Sequence, residues 1–235
     1  AIFGGSYGWA SAGRFHHAGT QVHRFLNSIG GYVSSRGTYS AGTAETLIPH
    51  VLGRPFFDVT FNAQNSWETI SRHTETLVMF GGINQKNSQV SLGGITRHQT
   101  RDWLQKFSDS GMNLINISPQ RSDTTSNARW LPIIPGTDTA MMLGIAHFLE
   151  TQDLVDRDFL ARCTEGYEVF QKYLLGDSDG EAKDCRWAAE ICGIAEATIC
   201  DLAKIMASTR CLITVAWSLQ RAEFGEQPFW MATVL

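Results

Sequence analysis

Three short apolar runs constrain the fold of this chain more than anything else in it: 76–81 (TLVMFG), 113–117 (NLINI) and 211–216 (CLITVA). Each is the length of a strand and dense in large aliphatic side chains. Each ends at a turn signal, respectively Gly, Ser-Pro and Trp-Ser. Strands covered on both faces read this way. Between the first two runs lies 100–110, where Trp103, Leu104 and Phe107 fall on one side of a helix. Strand, helix, strand in that order is a βαβ unit, and such units pair their strands in parallel. The expected fold class is therefore α/β with a parallel sheet.

The helical pattern is clearest at 137–150, where Met141, Met142, Ile145, Ala146 and Leu149 form the apolar stripe and Thr137 is placed to cap the N-terminus. Further helices are expected at 158–163, 167–175, 186–192 and 195–207, with a turn at 178–180. The first third reads less regularly. Residues 1–9 look like a strand running into a glycine-rich turn, 11–26 a helix, 27–39 a Gly/Ser loop, and 44–52 a short helix containing Pro49. The chain opens without Met and stops inside an apolar helical pattern, so it is expected to be an internal piece of a longer polypeptide, lacking its N- and C-terminal parts.

Composition mainly excludes. With 235 residues, 43% hydrophobic and 18% charged, the chain has the balance of a globular protein able to bury a core. Its net charge is −4 and its Lys and Arg are scattered, which gives no electrostatic case for nucleic acid. No apolar run approaches a membrane span, and no signal peptide is evident. The five cysteines contain no CxxC pair and are read as buried or partly buried thiols. His16, His17, His23 and His50 lack metal-ligand spacing and are read as core or surface residues. No GxSxG elbow exists, and Ser122, Asp123 and Glu226 make no convincing hydrolase triad.

Parallel sheets bind ligands beyond the carboxyl ends of their strands. The segments to search are therefore 82–87, 118–123 and 217–221, which carry one cation each: Lys86, Arg121 and Arg221. On these residues alone, a phosphate or nucleotide grip competes with ordinary solvated loops. The absence of GxGxxG and GxxxxGK[ST] counts against the commonest nucleotide sites.

Longer motifs narrow the choice. Ser6-Tyr7-Gly8-Trp9, followed by Gly37-Thr38-Tyr39-Ser40 at a spacing of 33 from Tyr7 to Ser40, resembles the SYGW and GDYS segments of the dimethyl sulfoxide reductase family of molybdopterin enzymes. Gln64-Asn65-Ser66-Trp67, Lys86-Asn87, Ser118-Pro119-Gln120-Arg121 and Pro135-Gly136-Thr137-Asp138 resemble further family segments in the same order. So do Trp217-Ser218-Leu219-Gln220-Arg221 and Phe224-Gly225-Glu226-Gln227, so that the resemblance spans residues 2 to 235. Thr38 departs from the Asp often found there, which bears on how the loop is held.

The resemblance implies Rossmann-like cofactor-binding regions of a larger multidomain molybdoenzyme. Residues 1–75 would belong to the molybdenum-site region and 76–235 to the α/β region that binds cofactor. The implied cofactor is molybdenum held by bis(molybdopterin guanine dinucleotide), with Ser40 as the protein ligand. Tyr7 and Trp9 would line the substrate pocket. Trp9, Ser40, Lys86, Asn87, Ser118, Pro119, Arg121, Thr137, Asp138, Trp217, Ser218 and Arg221 would contact the cofactor, with Asp138 pairing to a guanine. The implied activity is reduction of a small S-oxide or N-oxide, such as dimethyl sulfoxide, biotin sulfoxide or trimethylamine N-oxide. Neither the electron donor nor the compartment is specified by these residues. The alternatives are a nucleotide-binding module without redox chemistry and an inactive fragment.

Overall fold

The computed structural model describes residues 1–5, 17–35, 37–38, 40–85, 99–125 and 127–235. The expected parallel sheet is present. Strands β1 (Thr76–Phe80), β2 (Asn113–Ile117), β3 (Arg129–Leu131) and β4 (Cys211–Val215) lie in the order β3-β2-β1-β4. All three pairings are parallel, with Met79 level with Asn116 on one side and Thr214 on the other.

Both faces of the sheet are covered, and the alternation along β1 shows by what. Val78 and Phe80 point into a core shared with Ile115, Ile117 and residues from α5 (Asp138–Thr151), α8 (Cys185–Cys192) and α9 (Glu196–Ser208). Leu77 and Met79 point the other way, onto Leu104 and Phe107 of α4 (Thr100–Asp109) and Trp67 and Ile70 of α3 (Trp67–His73). The result is a three-layer α/β/α arrangement. Two shorter helices, α6 (Arg157–Cys163) and α7 (Tyr167–Leu174), lie between α5 and α8 in sequence.

The first third is attached differently. Phe3 makes a single bridge to Val33 rather than a strand, and α1 (Ala18–Ser28) buries Leu26 alone. Helix α2 (Gly42–Leu52) docks through Ala44 and Ile48 in a small cluster with Phe56 and with Phe229 of α10 (Glu226–Val234).

Three expectations need adjusting. β4 is half-buried along its length rather than buried, because it is an edge strand paired to β1 alone. Thr137 occupies the cap position of α5 but does not cap it; its hydroxyl donates to the Ile134 carbonyl at 2.7 Å instead. Cys163 is exposed, whereas Cys185 and Cys192 are buried and Cys200 and Cys211 partly so. Burial pushes the Cys211 thiol up to about 11, so it stays protonated and inert at neutral pH.

Candidate functional site

The strand order locates the site. From β1 the chain builds outward to β2 and β3, then returns on the other side of β1 to place β4. The order therefore reverses between β1 and β4, and a crevice opens at such a point beyond the carboxyl ends of the strands. Close packing holds the exits there. Gly82 has φ +72, and a Cβ on it would stand 2.5 Å from the Asp123 carbonyl, so only glycine lets the β1 exit cross the loop that follows β2.

Ser40 lies at this switch point. Its carbonyl accepts hydrogen bonds from Gln220 Nε2 at 2.8 Å and Arg221 Nε at 3.3 Å, both in the turn after β4. Its backbone N–H donates to the Thr38 hydroxyl at 3.1 Å. Thr38 thus holds the loop by the short side-chain-to-backbone turn that an Asp makes with its carboxylate. Two residues on, α2 begins, and the positive end of its dipole favours negative charge on a serine oxygen nearby. Beside this loop, Trp217 packs against Phe56 and Phe61, with ring centroids at 5.7 and 6.2 Å. Ser218 and Arg221 are exposed.

The other end of the same edge carries the remaining residues. The Ser118 hydroxyl is used inside its own loop: it donates to Asp123 Oδ2 at 2.6 Å and accepts from the Gln120 N–H at 3.2 Å. The Trp130 indole donates to the Ser118 carbonyl at 2.8 Å. Pro119 and Arg121 are exposed and Thr137 half-buried. Asp138 opens α5 in the connection after β3. It is 2% exposed, and its Oδ1 has no hydrogen-bond partner. Desolvation drives its pKa up to about 6. The sequence grouping thus separates into a Ser40 end at β1/β4 and an Asp138 end at β2/β3. Two strand spacings, about 10 Å, lie between them. Tyr7, Trp9, Lys86 and Asn87 fall outside the described residues.

This edge also holds polar atoms that the described protein leaves unmet. Both amide atoms of Asn116 and the hydroxyl of Thr214 are buried without partners, each on the penultimate residue of its strand. Buried groups of this kind cost free energy unless something bonds them. Asn116 and Thr214 are level with Met79 and so lie on the face of the sheet that α3 and α4 cover, whereas Asp138 opens α5 on the other face. By contrast, a cleft of about 1440 Å³ between the start of α5 and the segment after β4 is walled by Phe159, Phe170, Trp187 and Trp230, and includes none of the site residues. The candidate site is the sheet edge, because Ser40 and Asp138 lie beyond the carboxyl ends of the strands there. Among the described residues no three His, Cys, Asp or Glu cluster as a metal cage. A metal bound here would need its other ligands from an organic cofactor, and a single serine oxygen is compatible with that.

One residue of this arrangement was not foreseen from sequence. Gln220 is 3% exposed and bonds to both Ser40 and α2, whereas the sequence motif assigns roles only to its neighbours Trp217, Ser218 and Arg221.

Comparison with known proteins gives a consistent picture. A model of the molybdopterin oxidoreductase family matches residues 1–235. The chain is 43% identical to the biotin sulfoxide reductase of Cereibacter sphaeroides, over 99% of the chain and 31% of that protein. It is 40% identical to a trimethylamine-N-oxide reductase of Haemophilus influenzae, over 100% of the chain and 28% of the relative. It is 38% identical to a dimethyl sulfoxide/trimethylamine N-oxide reductase of Cereibacter sphaeroides, over 99% of the chain and 28% of the relative. The chain thus spans about three-tenths of the length of these relatives. In structure it resembles the acetylene hydratase of Pelobacter acetylenicus, with TM-score 0.59 and 20% identity over 91% of this chain and 26% of that one, a likeness of fold.

Proposed function

Because the chain belongs to the molybdopterin oxidoreductase family, we propose that it is the part of an S-oxide or N-oxide reductase that supplies Ser40 to molybdenum and grips bis(molybdopterin guanine dinucleotide) along the sheet edge. The observation that carries this reading is the fixing of Ser40 at the β1/β4 switch point. The names of the similar reductases support the choice of oxide substrates. On this reading 1–75 belongs to the metal-site region and 76–235 is the cofactor-binding α/β region.

When bound, the molybdenum centre supplies the oxygen-atom transfer chemistry, and the protein supplies binding, orientation and electrostatics. Ser40 offers a hard oxygen donor suited to a high-valent metal. The Tyr7 phenol donates a hydrogen bond to the substrate oxygen, a bond that strengthens as charge gathers there. Trp9 would offer a flat apolar wall to the substrate. Two electrons and two protons per oxide give the sulfide or amine and water. At the far end, Asp138, with its unpaired buried oxygen, would hold the guanine of the cofactor, and a donor there would favour its ionised form. Lys86, Arg121 and Arg221 meet phosphate oxygens. Trp217 would pack on a planar ring of the cofactor, and Asn87, Ser118, Pro119, Thr137 and Ser218 would also contact it.

The test is cofactor analysis of the full-length gene product, expressed in a host that makes molybdopterin guanine dinucleotide. About one molybdenum and about two guanine nucleotides per chain are expected, with reduction of sulfoxides or amine oxides by a reduced dye. Guanine nucleotide without molybdenum would instead favour a binding module without redox chemistry.

A further inference from the structure

We propose that Gln220 is a positioning residue for the metal ligand, its side-chain amide clamping the Ser40 loop and the start of α2 onto the end of β4. The inference rests on the reading of Ser40 as ligand and concerns what holds that serine in place.

Both ends of the amide are occupied. Nε2 donates to the Ser40 carbonyl at 2.8 Å, and Oε1 accepts from the Ala44 N–H at 2.8 Å. The second bond satisfies one of the four N–H groups that every helix start leaves open; Ala41, at the cap position of α2, has no side chain able to do so. Gln220 therefore caps α2 from a point 176 residues away and fixes the serine before it in the same stroke. Ala41 and Ala44 are fully buried, small enough for the helix start to approach the amide closely.

The base of the clamp is itself rigid. Gln220 sits in a tight turn where the Leu219 N–H donates to the Ala216 carbonyl at 3.1 Å and the Arg221 N–H to the Ser218 carbonyl at 3.0 Å. The chain then folds back so closely that a Cβ on Gly225 would stand 1.9 Å from the Gln220 carbonyl oxygen. Arg221 does not duplicate the clamp, since its bond to Ser40 is longer, its side chain is exposed and it makes no bond to α2. A ligand atom displaced by about 1 Å costs catalysis roughly a hundredfold, so the anchor of the ligand loop matters to the rate without touching substrate.

The chemistry of the amide sets the test. Gln220→Glu keeps the volume and the acceptor for Ala44 but turns a carboxylate toward the Ser40 carbonyl. Gln220→Met removes both bonds. Each is made in the full-length enzyme beside Ser40→Ala, and read by hydrogen exchange of the peptide covering 38–46, by the paramagnetic resonance signal of the half-reduced molybdenum, and by kcat and KM separately. The clamp predicts faster exchange at the Ala44 amide in Gln220→Met, by about tenfold, with β1 and β2 still protected. Metal content stays at the wild-type level in both variants, the resonance signal moves, and kcat falls by about ten- to a hundredfold with KM within about twofold. If Ser40→Ala changes the resonance signal and neither Gln220 variant does, Ser40 stands as ligand and the positioning role of Gln220 is overturned. If Ser40→Ala itself leaves the signal unchanged, the ligand assignment fails and the clamp fails with it. Loss of molybdenum with the sheet still protected would also overturn the role, making Gln220 a determinant of cofactor retention.

Discussion

Phe80 on β1 and Phe25 on α1 are the same side chain in two different settings. Phe80 is 0% exposed, at the end of a strand sandwiched between helices; Phe25 is 61% exposed on a helix that buries only Leu26. The contrast holds for their neighbourhoods. Val78, Ile115, Ile117, Met141 and Ile145 surround the first with fully buried apolar groups, whereas Val22, Ile29 and Val33 beside the second are exposed. The α/β region thus carries its own core. Among the described residues before it, α1 buries Leu26 alone, and the segment that presents Ser40 is held through α2, α10 and Gln220. On the proposed reading of Ser40 as metal ligand, its loop needs a specific anchor, and the buried Gln220 amide is placed to be one.

Substitutions sharpen this contrast. The largest effect on stability is expected at Phe80. Phe80→Ala removes a fully buried ring from the main core and costs about 3–5 kcal/mol, read as a lower denaturation midpoint for the 235-residue chain. The next is at Asp138. Its pKa is about 6 in the folded chain against 3.8 as its ordinary value. The folded state therefore holds the extra proton between these values, so stability falls as pH rises through that window, and above it the ionised, buried carboxylate costs roughly 3 kcal/mol. Asp138→Asn should flatten that part of the profile and raise the midpoint at pH 8 more than at pH 4. An unchanged profile would mean that Asp138 is better solvated or paired than its surroundings indicate. The smallest effect belongs to the other arm of the Phe80 comparison: Phe25→Ala should stay within about 0.5 kcal/mol. A loss comparable to that of Phe80→Ala would break the distinction between the two regions.

How much of this was legible in the sequence follows the same division. Strands β1, β2 and β4 and helix α5 were readable because continuous apolar runs and a helical stripe report burial directly. Strand β3 was not, since three residues beginning with an exposed Arg129 carry no period and become a strand only by pairing with β2. Helix α3 was missed because its seven residues have no buried member. Ser40 sits in a Gly/Ser loop with no pattern of its own, so only the ordered series of motifs singled it out. Gln220 stood inside one of those motifs and was still passed over, because its partners are 176 and 180 residues away and a buried amide has no sequence signature.

The central claim is that Ser40 supplies an oxygen to molybdenum from an anchored loop at the switch point of the sheet. X-ray absorption at the molybdenum edge, on the full-length enzyme and its Ser40→Ala variant at matched metal content, tests it most directly. The account predicts that the variant loses one oxygen neighbour while its sulfur shell is kept, and that turnover falls by a hundredfold or more, roughly 3 kcal/mol of transition-state stabilisation. An identical metal environment in the two proteins would contradict it.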